Sequence, residues 1–304
     1  MPLNPPVHVS EIGMKGTGWL PPRPDLRDYT PDSPVPQMVA GKTLADTPPS
    51  KADLRQWFPA VYDQGQLGSC TANAAVGVLE YLQNKAYNLP KQSMSRMFVY
   101  KASRNLLGVT GDTGAYLRTA MGAMVLLGAP PEKYWPYTVN TDPSAGKTFD
   151  EEPTSFVYSV ADNFEGLTYF CHDPISAKVP TDAVLGSIKK WIASGWPVMY
   201  GFYGFNSFES TDTPGSFPYP GPNEQAQWGH AVVAVGFDDS KEITNTRYNV
   251  TTTGALLIRN SWGAEWGDQG YGWMPYRYVL DSLATDFWSL TSNNHADTGA
   301  FGLT

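Results

Sequence analysis

The spacing of apolar and polar positions divides the chain into a half that favours helices and a half that favours strands. Apolar residues recur every three or four positions through much of the first half, and again after Asp182. Short apolar or alternating runs, bounded by Gly and Pro, follow Trp196. The predicted helices cover 70–86, 94–106, 114–127 and 182–195, and the predicted strands cover 197–202, 231–236, 255–259 and 270–276.

This order of elements predicts an α+β protein in which helices and strands are segregated. A turn-rich stretch over 138–153 separates the two halves. We therefore expect one domain over 51–304, with a helical lobe over about 60–150 and a β-rich lobe over about 151–290.

The first fifty residues differ from the rest, because they hold 11 of the 26 prolines. Proline at this density prevents a long helix and favours extended backbone. Trp19, Leu20, Leu26 and Tyr29 lie among these prolines. We therefore expect an ordered N-terminal strap, residues 1–50, laid over the folded body, with a flexible tail as the alternative.

Composition and charge narrow the choice of partners. The formal net charge is −8 and no run of Lys or Arg is present, which argues against nucleic acid as the main partner. No stretch reaches the roughly 20 apolar residues that span a bilayer. No secretory signal is visible, so the cytoplasm is the expected compartment, or a secreted or periplasmic location if a leader has been removed.

Candidate chemistry begins at Cys70, one of only two cysteines. A glycine-rich turn over 63–69 delivers Cys70 to the first turn of a predicted helix. A thiolate at a helix start faces unpaired backbone N–H groups and the positive end of the helix dipole, and both lower its pKa. An arbitrary cysteine is more often an inert buried thiol, and we expect that of Cys171.

Two polar residues in the β-rich half could complete a site with Cys70. His230 stands at the mouth of an apolar strand, and Asn260 ends another apolar strand. Trp262 and Trp266 follow and could shield a hydrogen bond of Asn260 from water. Taken singly, His230 could be a core histidine and Asn260 a turn cap.

Taken together, Gln64, Cys70, His230 and Asn260 resemble the catalytic set of the papain family of cysteine peptidases, including bacterial members. Gln64 precedes Cys70 by six residues, and the other two stand in Gly-His-Ala-Val and Asn-Ser-Trp-Gly motifs. The resemblance implies a two-lobed fold, with a helical left lobe, a β-barrel-like right lobe and the active-site cleft between them. It implies peptide or protein substrates and no cofactor or metal.

The resemblance also implies a mechanism. Cys70 would attack the peptide carbonyl as a thiolate paired with the imidazolium of His230, and an acyl-enzyme would follow. Asn260 would orient His230. The Gln64 amide and the Cys70 backbone N–H would form the oxyanion hole.

The papain-like pattern is incomplete in three places. Thr71 follows the nucleophile where papain has Trp, and Leu67 stands where the family often has a disulfide cysteine. A long helical propeptide pattern is absent, and the Pro-rich strap stands in its place. The strap could therefore act like a propeptide and control access to the cleft, or it could only cover apolar surface.

Substrate contacts are also implied by the resemblance. A glycine-rich edge over 111–114 would pair with the backbone of an extended substrate. Asp286 at the base of the main specificity pocket would favour basic side chains, although a surface carboxylate is the preferred interpretation of this residue. The expected substrate-binding residues are Gly111, Asp112, Thr113, Gly114, Met199, Ala231 and Asp286.

Two other functions fit parts of the same pattern. An acyltransferase or transglutaminase would use the same nucleophile with an amine acceptor in place of water. A binding module could keep the fold and hold peptide or sugar through the aromatic loop over 204–229. The intact set of Gln64, Cys70, His230 and Asn260 favours the peptidase.

Overall fold

The computed structural model describes residues 5–23, 47–87, 93–164, 166–175 and 178–293. Within these ranges the chain forms six α-helices, a seven-stranded sheet and a separate two-stranded hairpin. None of the helices in these ranges is both long enough and apolar enough to cross a membrane.

The helices begin and end where the local chemistry allows. Ser95 precedes the second helix, and its hydroxyl accepts a hydrogen bond from the backbone N–H of Phe98. Gly108 ends that helix with a φ of 67°, a left-handed conformation that glycine adopts without steric cost. The six helices are α1 Cys70–Tyr87, α2 Arg96–Leu107, α3 Leu117–Leu127, α4 Ser155–Ala161, α5 Thr181–Ala193 and α6 Arg277–Leu280.

All strand pairs among the described residues are antiparallel, and of the isolated bridges only the one between Trp19 and Ala115 is parallel. The strands are β1 Val7–Val9, β2 Gly13–Lys15, β3 Lys51–Asp53, β4 Gly166–Cys171, β5 Val198–Gly204, β6 Trp228–Asn245, β7 Val250–Arg259, β8 Tyr271–Pro275 and β9 Ala284–Asn293. The main sheet has the order β4-β9-β5-β6-β7-β8, and β3 also pairs with β6. Strands β1 and β2 form the separate hairpin, which belongs to the N-terminal strap.

Helix α1 packs against the main sheet and against α2 and α3. Every residue from Cys70 to Gln83 is buried. A helix that is surrounded in this way needs mostly small and apolar side chains, which the Ala-rich sequence supplies except at the buried polar residues Thr71, Asn73, Glu80 and Gln83. The packing therefore brings the N-terminal end of α1, with Cys70, into the interior of the molecule.

The predicted α+β class and the two-lobed papain-like arrangement are confirmed. All four predicted helices and all four predicted strands are present, and most ends are displaced by a few residues, but β6 continues to Asn245 and β7 begins at Val250. The sheet is open, with β4 and β8 at its edges among the described residues. It does not close into the barrel-like lobe that was expected.

Several elements of the structure were not predicted from the sequence patterns. Strands β4 and β9 pair with register shifts, which break the simple alternation of apolar and polar residues. Helix α4 has only seven residues, which is too short for a clear period. The division into lobes at about residue 150 stays a prediction.

Candidate active site

Cys70 is the first residue of α1 and is fully buried. In the turn before it, Gly65 has a φ of 61°, a conformation that favours glycine. Burial raises the pKa of the Cys70 thiol to about 12, and hydrogen bonds from the backbone of Ala231 and Thr71 act in the opposite direction. The Ala231 contact brings the start of α1 against the start of β6, one residue from His230.

His230 lies in β6 and is bonded to Asn260, the residue after β7. The distance from His230 Nε2 to Asn260 Oδ1 is 2.8 Å, and the same oxygen accepts the backbone N–H of Ser261 at 2.8 Å. Because that oxygen can only accept, the ring N–H is assigned to Nε2. Trp262 stacks on His230 with ring centroids 4.7 Å apart, and Trp266 packs edge-on against Trp262.

The other ring nitrogen of His230 has a different environment. His230 Nδ1 is buried and has no hydrogen-bond partner among the described residues. Burial lowers the pKa of His230 to about 4, and the hydrogen bond to Asn260 acts in the opposite direction. The imidazole is therefore neutral at pH 7 in this structure, with Nδ1 as an acceptor.

His172 is a second buried histidine, and both of its ring nitrogens are bonded. Nδ1 lies 2.9 Å from the Ser187 hydroxyl oxygen, and Nε2 lies 3.0 Å from that of Ser289. Burial lowers the pKa of His172 to about 3. With both nitrogens engaged by hydroxyl groups, this ring is suited to packing rather than to proton transfer.

The side chain of Gln64 is anchored at its oxygen and donates through its nitrogen. Gln64 Oε1 accepts a hydrogen bond of 2.5 Å from the hydroxyl of Ser261. Gln64 Nε2 donates to the carbonyl oxygen of Leu67 at 2.7 Å and to that of Gly16 at 3.1 Å. One amide N–H therefore holds the turn before Cys70, and the other faces the strap.

The expected substrate edge over 111–114 lies between α2 and α3. Gly111 and Gly114 have φ values of 79° and 71°, and the backbone N–H of Thr113 bonds back to Gly111. The Asp112 carboxylate accepts the backbone N–H of Gly68 at 2.9 and 3.1 Å. The edge is thus joined to the turn that carries Cys70.

Strap residues 16–20 run between these groups. The backbone N–H of Gly16 donates to the Gly65 carbonyl at 2.8 Å, and that of Gly18 donates to the Gly229 carbonyl at 3.1 Å. A Cβ built on Gly16 would lie 2.0 Å from the Leu67 carbonyl oxygen. The approach is so close that only glycine fits there.

Ala115, directly after the expected edge, makes the backbone pairing with the strap. Its N–H donates to the Gly18 carbonyl at 2.9 Å, and its carbonyl accepts from the N–H of Leu20 at 3.1 Å. These two hydrogen bonds lie on either side of Trp19, and they form a parallel β-bridge between Trp19 and Ala115. Ala115 was not among the residues expected from the sequence, and two other strap residues named there, Leu26 and Tyr29, lie outside the described residues.

Trp19 fills a pocket in the β-rich half and is fully buried. Its indole N–H donates to Asp286 Oδ2 at 2.8 Å, and its ring meets Tyr203 edge-on at 5.3 Å. The ring also lies on Gly201, where a Cβ would be 1.9 Å from the indole. Asp286 is only 2% exposed, so the preferred interpretation of this residue as a surface carboxylate is wrong.

Asp286 is held firmly at the floor of this pocket. It has a φ of 67°, its N–H donates to the Asp173 carboxylate at 2.7 Å, and its Oδ1 accepts the indole N–H of Trp288 at 2.6 Å. Burial raises the pKa of Asp173 to about 7, and the neighbouring charge of Asp286 contributes to the shift. The buried Asp286 carboxylate beneath Trp19 therefore has a second carboxyl group, that of Asp173, as its neighbour.

The other two predicted pocket residues are buried on adjacent strands. Ala231 pairs with Gly201 across the sheet, and Met199 pairs with Trp288. Direct contact with the strap is made by Gly201, which was not among the expected residues. Glycine inside an apolar strand is a recognised sign of close approach by another group, so a signal was present.

Cys171 ends β4 and is buried, as predicted. Neither Cys70 nor Cys171 is part of a disulfide. The Cys171 sulfur lies 3.8 Å from Asp173 Oδ1. A buried thiol beside a carboxyl group is a poor candidate for the nucleophile, because both surroundings disfavour the thiolate.

Comparison with known proteins places the chain in a family. The protein-family model described as papain family cysteine protease matches residues 48–280 of this chain. An uncharacterized peptidase C1-like protein of Acanthamoeba polyphaga mimivirus is 32% identical over 285 residues, covering 89% of this chain and 85% of that protein. Cathepsin K of Gallus gallus is 29% identical over 254 residues, covering 82% of this chain and 62% of that protein.

The structure is similar to that of xylellain, a cysteine protease from Xylella fastidiosa. The two share 32% sequence identity with a TM-score of 0.71, over 91% of this chain and 96% of that chain. These three proteins come from a virus, a bird and a bacterium, so the expected bacterial character is only weakly supported. The chain belongs to the papain family of cysteine proteases and is a cysteine-type peptidase, a hydrolase.

Proposed function

We propose that Cys70 is the nucleophile of this peptidase and that His230 is its general base and general acid. The observation that carries the proposal is the asymmetry of the His230 ring. Nε2 is bonded to Asn260, whereas Nδ1 lacks a partner among the described residues, and the neighbouring Ala231 N–H contacts the Cys70 thiol. An imidazole anchored through one nitrogen keeps the other for proton transfer.

In the proposed mechanism, the thiol proton moves to His230 Nδ1 and Cys70 Sγ attacks the peptide carbonyl carbon. The new C–S bond displaces the carbonyl electron pair onto oxygen, where Gln64 Nε2 and the Cys70 backbone N–H donate to the oxyanion. His230 then gives its proton to the leaving amine as the C–N bond breaks. Water, activated by His230, hydrolyses the acyl-enzyme, while Asn260 keeps the ring in place.

We further propose that the strap closes the cleft in this structure. The Gly16 carbonyl oxygen accepts a hydrogen bond from Gln64 Nε2 at 3.1 Å, and Trp262 Nε1 lies 3.4 Å from the same oxygen. Cys70 and His230 are both fully buried with strap residues 16–20 in place. A substrate oxyanion needs the same Gln64 donor, so strap and substrate compete for the site.

The closed site also disfavours the reactive protonation state. Burial raises the pKa of Cys70 to about 12 and lowers that of His230 to about 4, so both groups are neutral at pH 7. Displacing the strap would hydrate both groups and allow the thiol proton to pass to the imidazole. One group loses the proton that the other gains, so opening changes no net charge and should depend little on pH near neutrality.

Labelling with a thiol-directed epoxysuccinyl inhibitor tests the assignment. In a Trp19→Ala variant, in which the cleft is expected to open, we expect Cys70 to be labelled and Cys171 to stay unlabelled when peptides are read by mass spectrometry. Adding His230→Ala should abolish the label, because the thiolate then lacks its partner. Labelling of both cysteines alike, or of neither, would contradict the proposed roles.

Asp286 is proposed to choose the side chain that enters the Trp19 pocket. The strap fills this pocket with a side chain whose N–H donates to the Asp286 carboxylate. When Trp19 leaves, a buried carboxylate oxygen loses its donor, which is costly unless another donor takes its place. We therefore expect a preference for Lys, Arg or Trp over Phe at this subsite.

Asp286→Asn tests this preference while keeping the backbone conformation. Asn tolerates a positive φ well, so the change removes the charge with little strain. In the Trp19→Ala background, the ratio of kcat/KM for Lys-bearing over Phe-bearing peptides should fall by about tenfold or more, because a hydrogen bond to a charged group is worth about 1.5–3 kcal/mol. An unchanged ratio in a paired peptide library would exclude Asp286 as the determinant.

A further inference from the structure

A carboxylate joins the two loops that form the two sides of the proposed site. The nucleophile turn, residues 65–69, leads into Cys70, and the substrate edge, residues 111–114, leads into Ala115, which pairs with the strap. Both oxygens of Asp112 accept the N–H of Gly68, at 2.9 Å and 3.1 Å. Neither loop contains a cysteine, so the link between them is not a disulfide.

Tyr100 of α2 completes this link from behind. Its hydroxyl donates to Asp112 Oδ1 at 2.5 Å and accepts the backbone N–H of Gly114 at 3.2 Å. Tyr100 is fully buried. One carboxylate and one hydroxyl thus connect Gly68, two residues before Cys70, with the far end of the substrate edge.

The substrate edge is also anchored independently of Asp112. The Arg104 side chain is fully buried, stacks on Tyr100 at 4.1 Å and donates to the Gly111 carbonyl at 2.6 Å. Asp150 accepts the N–H of Gly111 at 2.8 Å and pairs with Arg104 at 2.7 Å. If Asp112 were removed, these bonds would still hold the edge, whereas the nucleophile turn would lose its tie to it.

We propose that Asp112 is a positioning residue, a carboxylate clamp that sets the nucleophile turn, and with it Cys70 and its backbone N–H, at a fixed distance from the substrate edge. The inference rests on the proposed function of Cys70. Asp112 acts through Gly68 and does not touch the reacting atoms.

The location of this carboxylate works against the thiolate. Burial is the largest cause of the raised pKa of Cys70, and the negative charge of Asp112 adds to it. The charge of Asp112 disfavours the Cys70 thiolate, whereas its hydrogen bonds hold Cys70 in position. Asp112 therefore has opposite effects on the alkylation of Cys70 and on the hydrolysis of a bound peptide. Removing it should make the thiol more reactive towards a small reagent and less effective on a bound peptide.

Asp112→Ala separates these two effects when it is made in the Trp19→Ala background. We expect kcat for a peptide substrate to fall by about 100-fold, since a misplacement of about 1 Å can cost that much. KM should change by less than about threefold, because the edge stays anchored. Alkylation of Cys70 by iodoacetamide, read by mass spectrometry with the buried Cys171 as the negative control, should stay equal or become faster.

Two further variants keep the test decisive. Asp112→Asn retains the shape and one acceptor oxygen, and it should lose less activity than Asp112→Ala. Asp142→Ala is the matched control, because Asp142 also accepts a backbone N–H, but in an exposed turn, and its kinetics should equal those of the parent.

Three results would overturn the clamp. These are an unchanged kcat in Asp112→Ala, a loss confined to KM, or a parallel loss of hydrolysis and alkylation in both Asp112 variants, which would mark a purely structural role. A parent that neither hydrolyses peptide nor alkylates at Cys70 would instead refute the proposed function, and the clamp with it.

Discussion

Trp19→Ala should raise the turnover of a small peptide substrate by roughly 10²- to 10³-fold. The Trp19 side chain is fully buried, donates to Asp286 and packs on Gly201. Truncating a buried Trp typically costs about 3–5 kcal/mol, and this energy corresponds to at least two orders of magnitude in the ratio of open to closed strap. The gain ends once the cleft is fully open, so kcat/KM of the variant reports the intrinsic activity.

Matched changes in the strap identify the cause. Trp19→Phe keeps a ring in the pocket but leaves Asp286 without the indole donor, so we expect a smaller gain of about tenfold. Met14→Ala alters a side chain of the same strap that is 41% exposed, and it should have no effect. If Trp19→Ala and wild type turn over peptide at the same rate, the strap only covers apolar surface, and its proposed control of access is wrong.

His230→Ala should reduce kcat by about 10⁴-fold or more in the Trp19→Ala background. Losing the base removes both the proton acceptor for Cys70 and the proton donor for the leaving amine, and such losses are of this size in related nucleophile–base systems. The pH profile of Cys70 alkylation should change as well. With His230 present the profile should extend well below the ordinary thiol pKa of about 8.5, and without it the inflection should move to that value or above.

Two controls distinguish the proposed base from its surroundings. Asn260→Ala leaves the imidazole in place but removes the partner of Nε2, so we expect a smaller loss than for His230→Ala, with a retained thiolate. His172→Gln changes the histidine that bonds to Ser187 and Ser289, and it should leave kcat per folded molecule unchanged. Loss of the low-pH thiolate in His172→Gln, with His230→Ala unaffected, would reverse the assignment.

The fold could be predicted from the sequence wherever the pattern is local. The apolar period of α2 and α3, the glycine after each helix and the apolar start of β6 all follow from residues within one or two turns or one strand. Strands β4 and β9 were missed because their pairing contains register shifts. The barrel-like closure was wrong because it came from the resemblance and not from a pattern in these residues.

The candidate site was partly predictable for a related reason. Gln64, Cys70, His230 and Asn260 were recognised by their order and their flanking motifs, although the last two lie 160 and 190 residues after the cysteine. Ala115 and Gly201 were missed, because the strap contacts their backbones and not their side chains. Ala115 pairs with Gly18 and Leu20, and the Trp19 indole packs on Gly201. Asp286 was named, but only the structure shows that it is buried and bonded to Trp19.

The sequence by itself determined the class of fold, the family and the set of candidate catalytic residues, since these depend on local periodicity and on motifs read along the chain. Tertiary structure alone decided the surroundings of Cys70. It placed the thiol against β6, put the Gly16 carbonyl on Gln64 and tied Gly68 to Asp112. These contacts join residues that are far apart in sequence. A local pattern does not predict which distant groups come within hydrogen-bond distance when the chain folds.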